Sequence, residues 1–441
     1  MLNVFRDGIA DEAETIDPEL RRKRALETLR SQLASVAERS EFHRERFARA
    51  GFDPGDPDWL AGFGELPLMS KRDHLESLAA RRPWGTNLAV DPDEVVRVHF
   101  SSGTTSEPTP IAWTAADLER WTHMYARCAY GFGLRHTDVY QCLLSFAWFV
   151  GGLGTHAAFE RVGATCIPGG NQDSLRQLRT MERFGTTFIA LTPSFAIHLA
   201  EVADQNGIDL RALPVNKMLI AGEPGGSVPA TRRMIEELWN AKVFDGYGSL
   251  EFQPIAWECD RQAGLHLAED FLYPEVLDPE TLRPVPDGTP GLLVLTHLDK
   301  QAHPLVRWST GDVVSLDRGR CECGRTTARL AGGVLGRTDD MLVVRGVNLF
   351  PSAVEDVVRS LPELNGEYQV IVDDEVRDPR SGHLNAIKVT AEATADPCPP
   401  GVAGELATRI RATLTVRALV EVVPPGTLQR STHKARRLIR R

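Results

Sequence analysis

Residues 96–114 read VRVHFSSGTTSEPTPIAWT. The alternating apolar positions that end at Phe100 predict a strand. After it come Ser101, Ser102, Gly103, Thr104 and Thr105, small hydroxyl residues around one glycine. Such a run can turn several backbone N–H groups toward an anion and add hydroxyl donors. It does not match GxxxxGK[ST], which argues against a P-loop nucleotidase. Glu107 stands where phosphate loops often carry a lysine. On its own the stretch reads as a polar turn, and its meaning depends on its companions.

Outward from it, between about 95 and 250, apolar strands alternate with helical stretches. VVRVHF, YQCLLSFAW, TFIALTP, NKMLIAGEP and KVFDGYG have strand character. AADLERWTHMYARCAYGFGL, SFAIHLAEVADQ and VPATRRMIEELWN have helical character. The alternation predicts an α/β lobe with a mostly parallel sheet. Ligands on such sheets sit at the carboxyl ends of strands. The loops SSGTT, AGEPGG and GYGSLE all follow strands, so they are expected to meet at one edge. Upstream, Leu26, Leu29, Leu33 and Val36 fall on one face of one or two amphipathic helices within residues 15–50.

From about 265 to 335, Asp-Pro, Asp-Gly and Pro-Gly turns separate short strands, which predicts a small antiparallel β unit packed on the sheet. After GRTDD at 336–340 comes a shorter α+β stretch. It comprises the hairpin-like MLVVRGVNLF, helix SAVEDVVRSL, strands YQVIVDD and NAIKVTAEA, and helix VAGELATRIRATL. The expected organisation is a large N-terminal lobe, residues 1–338, with the antiparallel unit at about 259–335. A small, mobile α+β C-terminal lobe, residues 339–441, completes it.

Of 441 residues, 42% are hydrophobic and 25% charged, normal for a globular protein with a large core. The formal net charge of -10 argues against a nucleic-acid binder. No stretch approaches a membrane span and the N-terminus lacks a secretory h-region. Seven cysteines, an odd number, do not suggest a disulfide scaffold, so a reducing cytoplasm is expected. Cys259, His266, Cys321 and Cys323 could form a closed tetrahedral set for a structural zinc. The C-x-C spacing is tighter than in an ordinary finger, and the spacing alone leaves buried core cysteines as an equal alternative.

Six motifs then occur in order: SSGTT, AGEPGG at 221–226, GYGSLE at 246–251, RWSTGD at 307–312, GRTDD, and HKARRL at 433–438. Together with FVGGLGTHAAFERVGATCIP at 149–168 and LFPSAVEDVV, they resemble the adenylate-forming superfamily, and within it the phenylacetate–CoA ligases. The resemblance covers nearly the whole chain. It implies an AMP-forming ligase: a carboxylate attacks the α-phosphate of ATP, giving an acyl-adenylate and pyrophosphate, and the thiol of coenzyme A then displaces AMP.

The resemblance implies roles as well. Ser101, Ser102, Gly103, Thr104 and Thr105 would cradle phosphates, and Glu251 would hold Mg²⁺. Ala221, Gly222, Glu223 and Pro224 would flank the adenine, with Tyr247 and Gly248 between adenine and acyl group. Asp312 would accept both ribose hydroxyls, with Arg337 nearby. Lys434 would be the C-terminal catalytic lysine, a point charge for the growing anion; read alone, its surroundings are a basic tail. Asp339 would be the hinge on which the small lobe turns. Some members of the family share the Cys–His–Cys-x-Cys arrangement, which favours the structural Zn²⁺.

Phe146, Trp148 and Phe149 fall where the family binds its acid, and Gly151 and Gly152 would leave room for a ring. Aromatic walls suit an aryl or arylacetic acid, although residues of this kind are as often plain core. The expected partners are a small aromatic acid, ATP and CoA, with a homodimer left open. The alternatives are transfer to an amine or a carrier-protein thiol, a non-catalytic nucleotide-binding homologue, and a zinc-ribbon nucleic-acid binder.

Overall fold

A computed structural model describes residues 8–101, 108–345, 347–378, 383–428 and 437–441. Five parallel strands lie side by side in the order Thr165–Ile167, Val139–Cys142, Phe188–Leu191, Lys217–Ala221 and Lys242–Tyr247. The Phe-Ile-Ala-Leu strand is buried along its whole length, as expected of a parallel strand covered on both faces. Helices Val150–Val162, Ser174–Phe184, Pro193–Gln205 and Pro229–Trp239 connect these strands.

The sheet does not end there. Gly246 and Tyr247 pair with Trp257 and Ala256, so the chain turns back and adds antiparallel strands edge-on. Ala256–Glu258, Leu265–Leu267, Arg329–Arg337, Trp308–Asp317, Gly291–His297 and Leu272–Leu277 follow in that spatial order, giving eleven strands among the described residues. The antiparallel unit therefore extends the parallel sheet rather than packing on its face, and the edge left by Lys242–Tyr247 is paired.

The opening stretch departs from expectation too. Strand Arg97–Phe100 pairs antiparallel with Pro110–Trp113 in a separate ribbon, so the Ser/Thr-rich loop joins a hairpin and does not lead into a helix. Pro110 is tolerated because it opens its strand. Ser101 closes the base of the hairpin: its N–H donates to the Thr109 carbonyl at 3.1 Å, and its Oγ accepts from the Thr109 N–H at 3.3 Å. Ser102, Gly103, Thr104, Thr105 and Glu107 lie outside the described residues.

The N-terminal helical prediction resolves into Pro18–Arg39 and Glu41–Ala50, N-capped by the Asp17 and Ser40 side chains. Their apolar face, Leu29, Leu33 and Val36, packs with Phe63, Leu298 and Val306. From Leu342 to Leu438 the chain builds a separate core. Its sheet orders Ala418–Val423, Ile387–Ala393, Leu364–Val372 and Leu438–Arg440, with helices Pro351–Arg359 and Val402–Leu414. Among the described residues, no helix is long and apolar enough to cross a membrane.

Candidate active site

Strand register decides which loops can meet. Cys142 pairs with Ala190, Leu191 with Ile220, and Ala221 with Gly246. The segments that follow therefore leave one edge of the sheet together. Gly222 takes φ +92°, a conformation that suits glycine. Beyond it, Glu223 Oε1 accepts the Ser194 N–H at 2.7 Å in the first turn of helix Pro193–Gln205, where a negative charge is favoured. Glu223 Oε2 is buried and has no hydrogen-bond partner among the described residues. Pro224 follows it directly.

The Tyr247 hydroxyl donates to Asp312 Oδ2. Strands Lys242–Tyr247 and Trp308–Asp317 are four steps apart in the sheet. In a flat sheet that is about 19 Å, far more than a tyrosine side chain spans. The sheet must therefore coil strongly enough to bring Tyr247 and Asp312 within side-chain reach. Burial, and after it the Asp312 charge, raises the Tyr247 phenol well above its ordinary value, so it stays a donor. Arg337, the register partner of Asp312, donates from Nη1 to Asp312 Oδ1 at 2.9 Å. Its Nε and Nη2 reach Asp339 at 2.8 and 3.2 Å. A carboxylate can accept several hydrogen bonds at once, the property that a pair of neighbouring hydroxyls requires of its acceptor.

Glu251 sits on the turn after Gly248, where the Gly248 Cα faces the Gln253 side chain so closely that an added Cβ would lie 2.9 Å from it. The Glu251 carbonyl accepts from His297 Nε2 at 3.0 Å, and His297 Nδ1 accepts the Leu305 N–H at 3.1 Å. The two contacts together fix the Nε2–H tautomer. The His297 ring stacks on Phe252, with centroids 3.9 Å apart. Burial lowers its pKa to about 3, so it is neutral.

Burial also raises the Glu251 carboxyl; Ser249 and the Lys71 charge oppose the shift, and the Asp312 charge adds to it. Among the described residues Glu251 has no ion pair. A half-buried carboxylate with no ion pair among the described residues, with a second carboxylate near it, is a donor set that suits a hard divalent ion.

At the acyl side, the predicted strand YQCLLSFAW stops at Cys142, where the Cys142 carbonyl turns to accept the Gly170 N–H. Phe146 is half-buried and meets His156 edge-on, with centroids 5.6 Å apart. Phe149, also half-buried, precedes helix Val150–Val162. Trp148 is 63% exposed, and its ring lies 5.4 Å from that of Phe100. The Trp148 carbonyl accepts the Phe100 N–H at 3.0 Å and contacts His99 Nδ1 at 3.1 Å.

Gly152 does not leave room for a ring. A Cβ there would lie 2.3 Å from the Ser145 carbonyl oxygen, so this glycine serves close packing of helix against loop. At Gly151 the nearest atom is Leu144 Cδ1 at 3.5 Å. Sequence reasoning missed His297, Ser194 and Lys71. They lie in unremarkable segments and matter only through the partners that folding supplies.

Cys259, His266, Cys321 and Cys323 form a second cluster, with ligand atoms all within 4.8 Å of one another. Thiolates at about 2.3 Å from a tetrahedral zinc should lie about 3.8 Å apart, and about 3.5 Å from an imidazole nitrogen. Cys259 Sγ and Cys321 Sγ are 3.8 Å apart, and Cys323 Sγ is 3.5 Å from His266 Nε2. His266 Nδ1 engages Thr327 Oγ1 at 2.9 Å, the outer contact that orients a ligating ring. Burial lowers the His266 pKa, which keeps the ring neutral as ligation requires. The donor set fits zinc. Arg325 extends the corner: it donates to Cys323 Sγ at 3.6 Å, to Glu14 Oε2 at 2.5 Å and to the Gly8 carbonyl at 2.6 Å.

Lys434 lies outside the described residues. Just beyond it, Arg440 Nη2 donates to the Asp339 carbonyl at 3.2 Å.

Comparison with known proteins agrees with this geometry. The AMP-binding enzyme family matches residues 21–297, and the AMP-binding enzyme C-terminal domain matches 346–441. The phenylacetate-coenzyme A ligase of Pseudomonas putida is 33% identical, with 98% of each chain covered. That of Thermus thermophilus is 34% identical, over 95% of this chain and 96% of its own. A solved 2-hydroxyisobutyryl-CoA ligase in its postadenylation state superposes with a TM-score of 0.90 at 31% identity, covering 98% of this chain and 91% of that one. The same ligase in its thioesterification state, with 97% and 91% covered at the same identity, reaches only 0.73. The chain therefore belongs to the AMP-binding enzyme family, in its phenylacetate–CoA ligase branch. It is an ATP-dependent ligase that joins a carboxylic acid to coenzyme A by way of an acyl-adenylate.

Proposed function

We propose that this ligase activates a small aromatic acid, aryl or arylacetic, and passes its acyl group to coenzyme A. The observation that carries the reading is the Tyr247–Asp312–Arg337 closure, which sets an acceptor for ribose hydroxyls near the half-buried Glu251. Half-buried Phe146 and Phe149 lie at the end of strand Val139–Cys142, on the same sheet edge. Flat apolar walls favour a ring, and relatives named for phenylacetate support that choice.

In this reading Asp312 orients the ribose, and the backbone of 221–224 lies along the adenine. The Ser101–Thr105 run supplies phosphate donors. Glu251 would hold Mg²⁺, which when bound offsets phosphate charge as the carboxylate approaches. Lys434 stabilises the charge that builds on the α-phosphate, and Asp339 is the hinge that lets its lobe withdraw for the thiol. Cys259, His266, Cys321 and Cys323 hold a structural Zn²⁺. It ties the Cys321–Cys323 loop, and through Arg325 the N-terminal segment, to strands Ala256–Glu258 and Leu265–Leu267.

The test is pyrophosphate–ATP exchange driven by benzoic, phenylacetic, cinnamic and branched hydroxy acids, followed by thioester formation with CoA. Exchange is expected with an aromatic acid, and CoA thioester as the product. Exchange confined to aliphatic acids would refute the aromatic assignment. An adenylate that reacts with amines but not with CoA would refute the acceptor.

A further inference from the structure

The helix Pro229–Trp239 belongs to the large sheet, while helix Pro351–Arg359 belongs to the separate C-terminal core. They meet through polar contacts that are unusual for a permanent interface. The residue before the first helix, Val228, offers no side-chain cap. Asp356 supplies one from across the interface, its Oδ1 accepting the Ala230 N–H at 3.0 Å. A carboxylate at a helix N-terminus satisfies an orphan donor and complements the helix dipole.

One residue on, Thr231 Oγ1 donates to Glu355 Oε1 at 2.8 Å, with Thr231 1% and Glu355 5% exposed. Glu355 is paired within its own helix to Arg359 Nε at 2.9 Å. Ser352 Oγ adds a contact to the Leu335 carbonyl at 3.0 Å.

The division of partners is informative. If the two helices separated, Glu355 would leave with its counter-ion, an i,i+4 pair that persists on an isolated helix. Ala230 N–H and Thr231 Oγ1 would be returned to water. No charge would be stranded in either core, and stranding is the costly outcome when buried ion pairs are broken. The contact can open and reclose without disrupting either fold.

From this we infer that Thr231, Glu355 and Asp356 are positioning residues that latch the C-terminal part in the arrangement used for adenylation. The inference rests on the ligase reading and deepens it. The arrangement described here matches the postadenylation state of a related ligase better than its thioesterification state, so the latch belongs to the first half-reaction. Releasing it shifts the equilibrium toward the second pose by the worth of the lost contacts.

The experiment compares Thr231→Val and Asp356→Ala with wild type in two separate assays. Pyrophosphate exchange reads adenylation, and single-turnover thioester formation from supplied acyl-adenylate and CoA reads the second step. The expected result is a roughly 5- to 10-fold fall in exchange, the scale of one net hydrogen bond, with the second step unchanged or faster. Equal loss in both steps, or no change in either, overturns the proposal. Hydrogen–deuterium exchange at Ala230 and Thr231 gives a readout independent of substrate. Faster exchange there in Asp356→Ala, with strand Lys217–Ala221 still protected, supports the latch, and unchanged exchange overturns it. If wild type adenylated no acid, the proposed function would fail, and the amide measurement would still decide the latch.

Discussion

Two corners of one sheet handle charge in opposite ways. At the Cys259–His266–Cys321–Cys323 corner the ligand set and its supports contact one another: imidazole, thiols, Thr327 and the Arg325–Glu14 pair. At the corner proposed for the nucleotide, Glu251 is half-buried and, among the described residues, it has no ion pair and Glu223 Oε2 has no hydrogen-bond partner. Asp312 accepts from Tyr247 and Arg337, which fix its carboxylate beside this turn. A corner that completes itself suits an ion that stays. One left short of contacts suits a ligand that arrives, reacts and departs. Unsatisfied polar groups are expensive to bury, and they persist where function needs them.

The contrast can be broken most forcefully at Asp312. Asp312→Ala should lower acid-dependent pyrophosphate exchange by about 100-fold or more, because a charge-assisted double acceptor is lost where nothing replaces it. The same variant should leave bound zinc, counted by elemental analysis, at the wild-type level. Next in size is metal removal. Chelation, or Cys321→Ser, should lower the melting temperature by at least about 5 °C while the KM for ATP moves less than about two-fold. If chelation instead removed ATP affinity and spared stability, the assignment of roles to the two corners would be reversed.

His297 sharpens the comparison through pH. Its folded pKa of about 3 lies below the ordinary 6.5, so between those values the unfolded chain binds the extra proton. Stability from this site is then lost as pH falls from 6.5. The destabilisation caused by His297→Gln should be about 2 kcal/mol smaller at pH 5 than at pH 8, from 1.5 pH units at about 1.4 kcal/mol each. A penalty that does not vary with pH would show that the imidazole titrates normally. The smallest effect is expected from Tyr247→Phe. Losing one donor to Asp312 should raise the KM for ATP about 5-fold, well short of the Asp312 variant.

Much of this was legible in the sequence. The order of six short motifs identified the family, and the parallel strands at 188–191 and 217–221 follow from their short apolar runs. What could not be read was anything that depends on coiling. Asp312 and Tyr247 lie 65 positions apart, on strands four steps apart, and no local pattern announces that a hydroxyl joins them. Nothing local announces that the chain after Ser101 returns as a strand, because Pro110–Trp113 is too short to signal itself. The pattern at 265–335 gave antiparallel strands correctly. It gave no sign that they would continue the main sheet, since edge pairing is set by the partner's free hydrogen bonds and not by side chains. Gly152 reads as space in a sequence and is filled by backbone in the fold.

The most direct measurement is a crystal structure of the protein soaked with AMP. The account predicts the ribose hydroxyls on the Asp312 carboxylate, beside Tyr247, with the adenine along residues 221–224. AMP bound elsewhere, or an Asp312 carboxylate that no ribose hydroxyl reaches at saturating AMP, would contradict it.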